Sequence, residues 1–305
     1  MFFTNLKLFR KNRAAVFSLF ILIGFVFLAV FQNQIAPYPA QEVHAITFAK
    51  PFWDNTPADT SVADVPADST ATARDPVAAG KYLFGTDDLG RDVFSRIIHG
   101  SSVSLLIGFI SVFLTTNLGI ILGVFSAAGP NWLDQTIMRI MDFILALPSI
   151  LLAILIVAIF GVGFWNTVVA VSLVALPITV KLTRNQVQVE MKKNYAIALD
   201  LMASGFTRKY FLNILPNCFA PILVQATFNF SDAILNAAAL GFLGLGVQPP
   251  TPEWGTMLSD SRPYIESASW LVTIPGLCLL IVVLCFNILA DGLRNVLDPK
   301  ERQRL

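Results

Sequence analysis

Asp142, Asn229, Asp232 and Asn236 lie inside runs that are otherwise apolar, where a charged or amide side chain is costly and needs a reason. Asn229, Asp232 and Asn236 are spaced three and four apart, which puts them on one helical face. Two uses fit such a stripe: hydrogen bonds between helices, or the lining of a path for a polar cargo. Asp142 has the same two options, since Arg139 stands three residues away and could neutralise it. None of this is covalent chemistry. There is no phosphate-cradling Gly-x-x-x-x-Gly-Lys-Ser/Thr loop, no nucleophile elbow and no His-Glu-x-x-His. Gly241, Gly244 and Gly246 have the wrong spacing for a dinucleotide fold. His44 and His99 are isolated and read as solvent-facing, and Cys218, Cys278 and Cys285 read as reduced packing residues. The chain therefore carries no catalytic residue, metal site or cofactor of its own, and uphill transport would draw on a partner or an ion gradient.

The elements that must position these groups are membrane helices. Of 305 residues, 55% are hydrophobic and only 13% charged, with mean hydropathy +0.67. Soluble domains carry about 25% charged residues, so the chain reads as an integral membrane protein. No dense basic tract points to nucleic acid. Six spans are expected, near 14–35, 102–127, 133–160, 164–182, 219–246 and 269–290, each able to cross about 30 Å of hydrocarbon. Their continuous apolar content excludes barrel strands. No small-x-small site follows the first run, which reads as an uncleaved helix. Pro148 predicts a kink in the third. Gly108, Gly119 and Gly123 allow close helix approach.

Fourteen of the 21 lysines and arginines fall at the N-terminus, in the 181–209 stretch and after Asp291, which places those regions and both termini in the cytoplasm. The 36–101 loop, with nine acids against five bases, falls outside. Its part from Asp54 to Ala79 reads as an extended surface segment. Gly80 to Gly100 reads as a surface helix before span two, with Thr86 to Asp88 as cap and Asp92 and Arg96 spaced to pair. The organisation is then 1–35 (N-terminus and first helix), 36–101 (outer loop), a five-helix core at 102–292 with a cytoplasmic loop at 183–217, and a tail at 293–305.

Within that cytoplasmic loop, Asn194 to Gly205 forms a short helix, with Asn194 as N-cap and Gly205 as stop. Tyr195 and Asp200 belong to it, and the small residues Ala196, Ala198 and Ala203 would let it enter a groove closely. The segment resembles the coupling loop of ABC importer permeases, whose pattern is Glu-Ala-Ala, a Gly four residues on, and later Ile-x-Leu-Pro. Ile197-Ala198-Leu199 stand at the first triplet, Ala203 replaces the Gly, Asn213 replaces the Ile, and Leu215-Pro216 match. The stretch from Phe84 to Arg96, with Gly85, Thr86, Asp87, Gly90, Arg91 and Asp92, resembles an element of the dipeptide and oligopeptide branch of these permeases. Leu240 to Leu258 does likewise, and only about Val43 to Ala79 is unmatched.

This resemblance implies an all-α polytopic fold of the type I importer kind in a bacterial inner membrane. It implies a homologous second permease, two cytoplasmic ATPases that bind ATP and Mg, and a periplasmic peptide-binding protein. Tyr195, Ala196, Ala198, Asp200, Ala203, Gly205, Leu215 and Pro216 would couple to the ATPase. The 85–92 residues would shape the periplasmic mouth or meet the binding protein, and Asp142, Asn229, Asp232 and Asn236 would line the path. The implied function is import of dipeptides or short peptides. Oligopeptides, haem, nickel complexes or antimicrobial peptides are alternative cargoes, and an ion-coupled secondary transporter is the competing class.

Overall fold

The computed structural model describes residues 12–44, 46–53 and 82–297. Lys7, Arg10 and Lys11, the Asp54–Ala79 segment, and Lys300, Arg302 and Arg304, all used in the sequence reading, lie outside the described residues. Among the described residues the secondary structure is helical, with one isolated bridge between Thr86 and Asp92.

Helix α1 is Arg13–Val30, started by Asn12, whose Oδ1 accepts from the Ala15 amide at 3.2 Å. A single turn, α2, comes next at Gln32–Ile35. The expected surface helix and second span prove to be one element, α3, Val93–Ala128, of 36 residues. At 1.5 Å per residue it is about 54 Å long and outruns the hydrocarbon layer. The reason is at its start: the Asp92 carboxylate accepts from the Ser95 amide at 2.8 Å and hydroxyl at 2.6 Å, and no proline interrupts the helix from there to Ala128. That use of Asp92 replaces the expected pair with Arg96, which faces Asp87 at 3.6 Å instead.

The third span is broken rather than kinked. Helices α4 (Asn131–Leu145) and α5 (Ser149–Phe160) meet at 95° around Pro148. Among the described residues five helices are long and apolar enough to cross a membrane, and this bent pair makes six if it crosses as one. Then come α6 (Phe164–Met191), the short α7 (Asn194–Leu201), a π-helical segment Arg208–Ile214, and α8 (Leu215–Phe242). Helices α9 (Trp254–Ser261) and α10 (Trp270–Leu297) complete the chain.

Helices α3 and α6 pack most closely, through glycine facing threonine. A Cβ added at Gly119 would lie 2.6 Å from Thr179 Cγ2, and one at Gly123 2.6 Å from Thr183 Cβ. The approach lets Thr115 donate to the Ser172 carbonyl at 3.0 Å across the pair. A second centre is Trp254, fully buried, whose Nε1 donates to the Ile97 carbonyl at 3.2 Å and whose ring meets Phe25 edge-on. Glu253 caps α9 beside it, accepting from the Gly255 and Thr256 amides at 2.9 Å and from Ser104 at 3.1 Å. Those three donors satisfy a carboxylate that is otherwise completely buried. Cys218 and Cys285 are buried and Cys278 half-buried, all unbridged. His44 and His99 are half-buried and not isolated: His44 packs against the Tyr38 and Tyr82 rings, and His99 Nδ1 sits 3.2 Å from Gln32 Oε1.

Candidate functional site

The short helix α7 hangs between the ends of two long helices and is tied to both. Glu190, near the end of α6, is buried, and three groups meet it or its partner. Lys193 Nζ lies 2.5 Å from its Oε1, and the Tyr195 hydroxyl donates to its Oε2 at 2.6 Å. Asn217, in the first turn of α8, donates to the same hydroxyl at 3.2 Å. One phenol thus joins α6, α7 and α8. Burial first, and then the bond to Glu190, push its pKa up to about 12, so it stays a donor throughout the physiological range. At the far end of α7, Asp200 holds Lys209 of the π-helical segment at 2.5 Å. A motion imposed on α7 would be passed through these bonds to helices on both sides.

The two faces of α7 differ sharply. Ala196 is 0% exposed and packs with Val124, Val187, Ile214, Cys218 and Ile222. It is a foot of the helix, not part of a free surface. Ala198 is exposed, beside Ile197 at 48%, Leu201 at 84% and Met202 at 77%. Attention to small residues therefore missed the two largest apolar projections, Leu201 and Met202. Their signal was present in the sequence as adjacent large apolar residues at a helix end between charged flanks.

The boundaries also move. Asn194 is the first helical residue rather than the cap, and no side chain caps this start. The chain leaves α7 through Ala203, at φ +48°, not through Gly205, which stands in open space. A left-handed alanine costs roughly 1–2 kcal/mol, and it occupies the place where the importer pattern has glycine. Leu215 is half-buried against the Ala196 cluster, and Pro216 is exposed in the first turn of α8, where a missing amide hydrogen costs nothing.

The stretch from Gly85 to Asp92 is a folded strap. Gly85 and Gly90 both have φ +78°, and Thr86 N–H donates to the Ala49 carbonyl at 3.1 Å while its hydroxyl donates to Ile46 at 2.9 Å. Asp87 accepts from the Arg91 amide at 2.8 Å and from its guanidinium at 2.7 Å. Gly85, Thr86, Asp87, Gly90, Arg91 and Asp92 are all buried, so they hold the strap together from within rather than forming its surface. The surface above them is presented by Leu89, half exposed, and by Asp88. Asp260 of α9 faces Arg96 and Arg91. Burial raises its pKa and the two guanidinium groups pull it down.

Asn229, Asp232 and Asn236 share a face of α8 by spacing but not one environment, and Asp142 stands apart on α4. Asp142 on α4 is held by Lys181 of α6 at 2.6 Å, in place of the Arg139 pairing. About two turns earlier on α4, Asp134 takes a bidentate grip from Arg184, at 2.6 and 2.5 Å. Asn229 points inward, donating to Thr179 of α6 at 2.9 Å across the helix pair and accepting from Gln225 of its own helix at 2.8 Å. Asp232 points outward and is exposed, and Asn236, half-buried, donates to its backbone carbonyl at 2.8 Å. A carboxylate facing lipid near mid-membrane costs at least about 2.5–3.5 kcal/mol, so this side of α8 faces water or protein. Among the described residues no group of His, Cys, Asp and Glu is placed to hold a metal.

Two families match the sequence. One, described as the binding-protein-dependent transport system inner membrane component, covers residues 119–303. The other, the N-terminal TM domain of oligopeptide transport permease C, covers residues 5–55. The chain is 47% identical over 293 residues to the di/tripeptide transport system permease protein DppC of Pseudomonas aeruginosa, covering 96% of this chain and 90% of that one. It is 46% identical to the dipeptide transport system permease protein DppC of Escherichia coli K12, covering 97% and 92%. It is 34% identical to the glutathione transport system permease protein GsiD of Escherichia coli, covering 96% and 88%. Its fold is similar to a chain of the MetNI methionine ABC transporter in an inward facing conformation. The TM-score is 0.55 at 18% identity, covering 66% of this chain and 96% of that one.

Proposed function

The chain belongs to the family of binding-protein-dependent transport system inner membrane components, and from that premise we propose that it is the permease subunit of an ATP-driven importer of dipeptides and short peptides. It sits as a multi-pass protein in a bacterial inner membrane, with α7 and both termini on the cytoplasmic side. A homologous second permease completes the path, two ATPases bind ATP and Mg below it, and a periplasmic binding protein delivers the peptide.

The observation that carries the mechanism is the construction of α7. Its outer face offers Ile197, Leu201 and Met202, while Tyr195, Asp200 and Ala196 bind its inner face to the long helices. A groove on the ATPase would cover the first set. Closure of the two ATPases on ATP would then move α7, and the bonds through Glu190 and Asn217 would carry that movement into α6 and α8. Likeness to dipeptide permeases at 46–47% identity over nearly the whole chain supports the cargo class.

Uptake of labelled alanyl-alanine in a strain lacking this chain tests the cargo. Uptake should be lost and restored by the gene in trans. Unchanged uptake, in a strain with no second dipeptide importer, would refute the assignment. Labelling an engineered cysteine in α7 with an impermeant reagent tests the orientation, since reaction from outside intact cells would place the helix on the wrong face.

A further inference from the structure

Asp232 differs from the other acidic side chains of the membrane helices. Asp134, Asp142 and Glu190 each hold a cation at 2.5 to 2.6 Å. Asp291 lies in the last two turns of α10. Asp232 is ten residues from the end of α8 at Phe242, about 15 Å along the axis, so it is well within the hydrocarbon depth. Among the described residues neither a cation nor a hydrogen-bond donor reaches its carboxylate, although the side chain is exposed on this chain. One turn on, Asn236 gives one amide N–H to the Asp232 carbonyl, and among the described residues no donor reaches its Oδ1. The site therefore offers three acceptor atoms, two carboxylate oxygens and one amide oxygen, beside the second Asn236 N–H.

We propose that Asp232, assisted by Asn236, receives the α-ammonium group of the peptide as it crosses. The inference rests on the reading of this chain as a peptide permease with Asp232 on its path. The chemistry matches the cargo. A dipeptide's side chains vary, but a positively charged α-amino group with two or three N–H donors is always present. A carboxylate that holds only this constant feature serves every sequence alike. A single charge-assisted contact, rather than a closed pocket, also lets the cargo leave.

The test uses the complete transporter in proteoliposomes, with Cys218, Cys278 and Cys285 replaced by alanine and Leu235→Cys introduced. Leu235 is exposed three residues from Asp232 on the same side of α8. A water-soluble thiol reagent should label this cysteine, and alanyl-alanine with binding protein and ATP should slow labelling about tenfold. That protection should survive Asp232→Glu and vanish in Asp232→Asn, with uptake falling about tenfold in the latter and all subunits still co-purifying. If the reagent never reaches the cysteine, the path reading itself fails and this inference with it. If labelling occurs but alanyl-alanine protects equally with Asp232→Asn, or not at all, the path survives and the ammonium role is overturned. Loss of the second permease from the purified Asp232→Asn complex would also overturn it, by showing that Asp232 pairs with that subunit.

Discussion

Truncating Leu201 and Met202 to alanine separates docking from folding. Full burial of a leucine or methionine side chain contributes about 1.5–3 kcal/mol. In the free chain Leu201 is 84% and Met202 77% exposed, so nearly all of that contribution is available to a partner and almost none supports this chain's own fold. Each truncation should therefore weaken ATPase binding by about 1.5 kcal/mol, roughly tenfold, and the pair by about a hundredfold if the two add. The thermal stability of the isolated permease pair in detergent should change by no more than about 0.5 kcal/mol. Ala196→Leu is the reciprocal change: Ala196 is 0% exposed, and three added carbons must displace Val187 or Ile214. It should cost about 1–3 kcal/mol of folding stability. The assay is retention of the tagged ATPase on immobilised permease across a concentration series, beside a melting curve of the permease alone. If Leu201→Ala with Met202→Ala left the affinity unchanged while the melting point fell, the assignment of the outward face would be wrong.

Other expectations come from single contacts. Gly123→Ala places a Cβ 2.6 Å from Thr183 and 2.9 Å from the Val180 carbonyl, and should destabilise by about 1–3 kcal/mol. Gly24→Ala, inside α1, meets nothing within 4 Å and should leave stability unchanged or raise it by up to about 1 kcal/mol, so equal melting points for the two variants would contradict the α3–α6 packing. Ala203→Gly relieves the left-handed backbone and should gain about 0.5–1 kcal/mol after the extra freedom of glycine in the unfolded chain is subtracted. Slower amide exchange across Asn194–Leu201 is the signature, and faster exchange would count against it. Tyr195→Phe removes a donor to the buried Glu190 carboxylate and should cost about 1.5–3 kcal/mol locally. In the whole transporter it should raise the ATP hydrolysed per peptide imported, and an unchanged ratio would remove Tyr195 from the transmission route.

Much of this protein could be read before folding was considered. Apolar runs of membrane length demand helices, because backbone groups in lipid must be satisfied within their own segment. The Gly85–Asp92 and Leu240–Leu258 stretches carried enough specific residues to place the family. Gly119 and Gly123 announced a close helix pair, though not its partner. What failed was whatever depended on which of two compatible neighbours a group would choose. Asp92 could pair with Arg96 or cap α3, and the cap prevailed because free amides at a helix start are nearer than a side chain one turn away. Asp142 could meet Arg139 or Lys181, and only the packing of α4 on α6 decided for Lys181. Asn229 and Asp232 share a face by spacing, yet a rotation of some 60° between them is enough for the closing of α8 on α6 to bury one against Thr179 and leave the other outside. Residue type and period determined the membrane helices and the kind of chemistry they exclude. Only the tertiary structure decided which polar groups were consumed in holding helices together and which were left to face a cargo or a partner, because a side chain's partner across space is not encoded in its own neighbourhood along the chain.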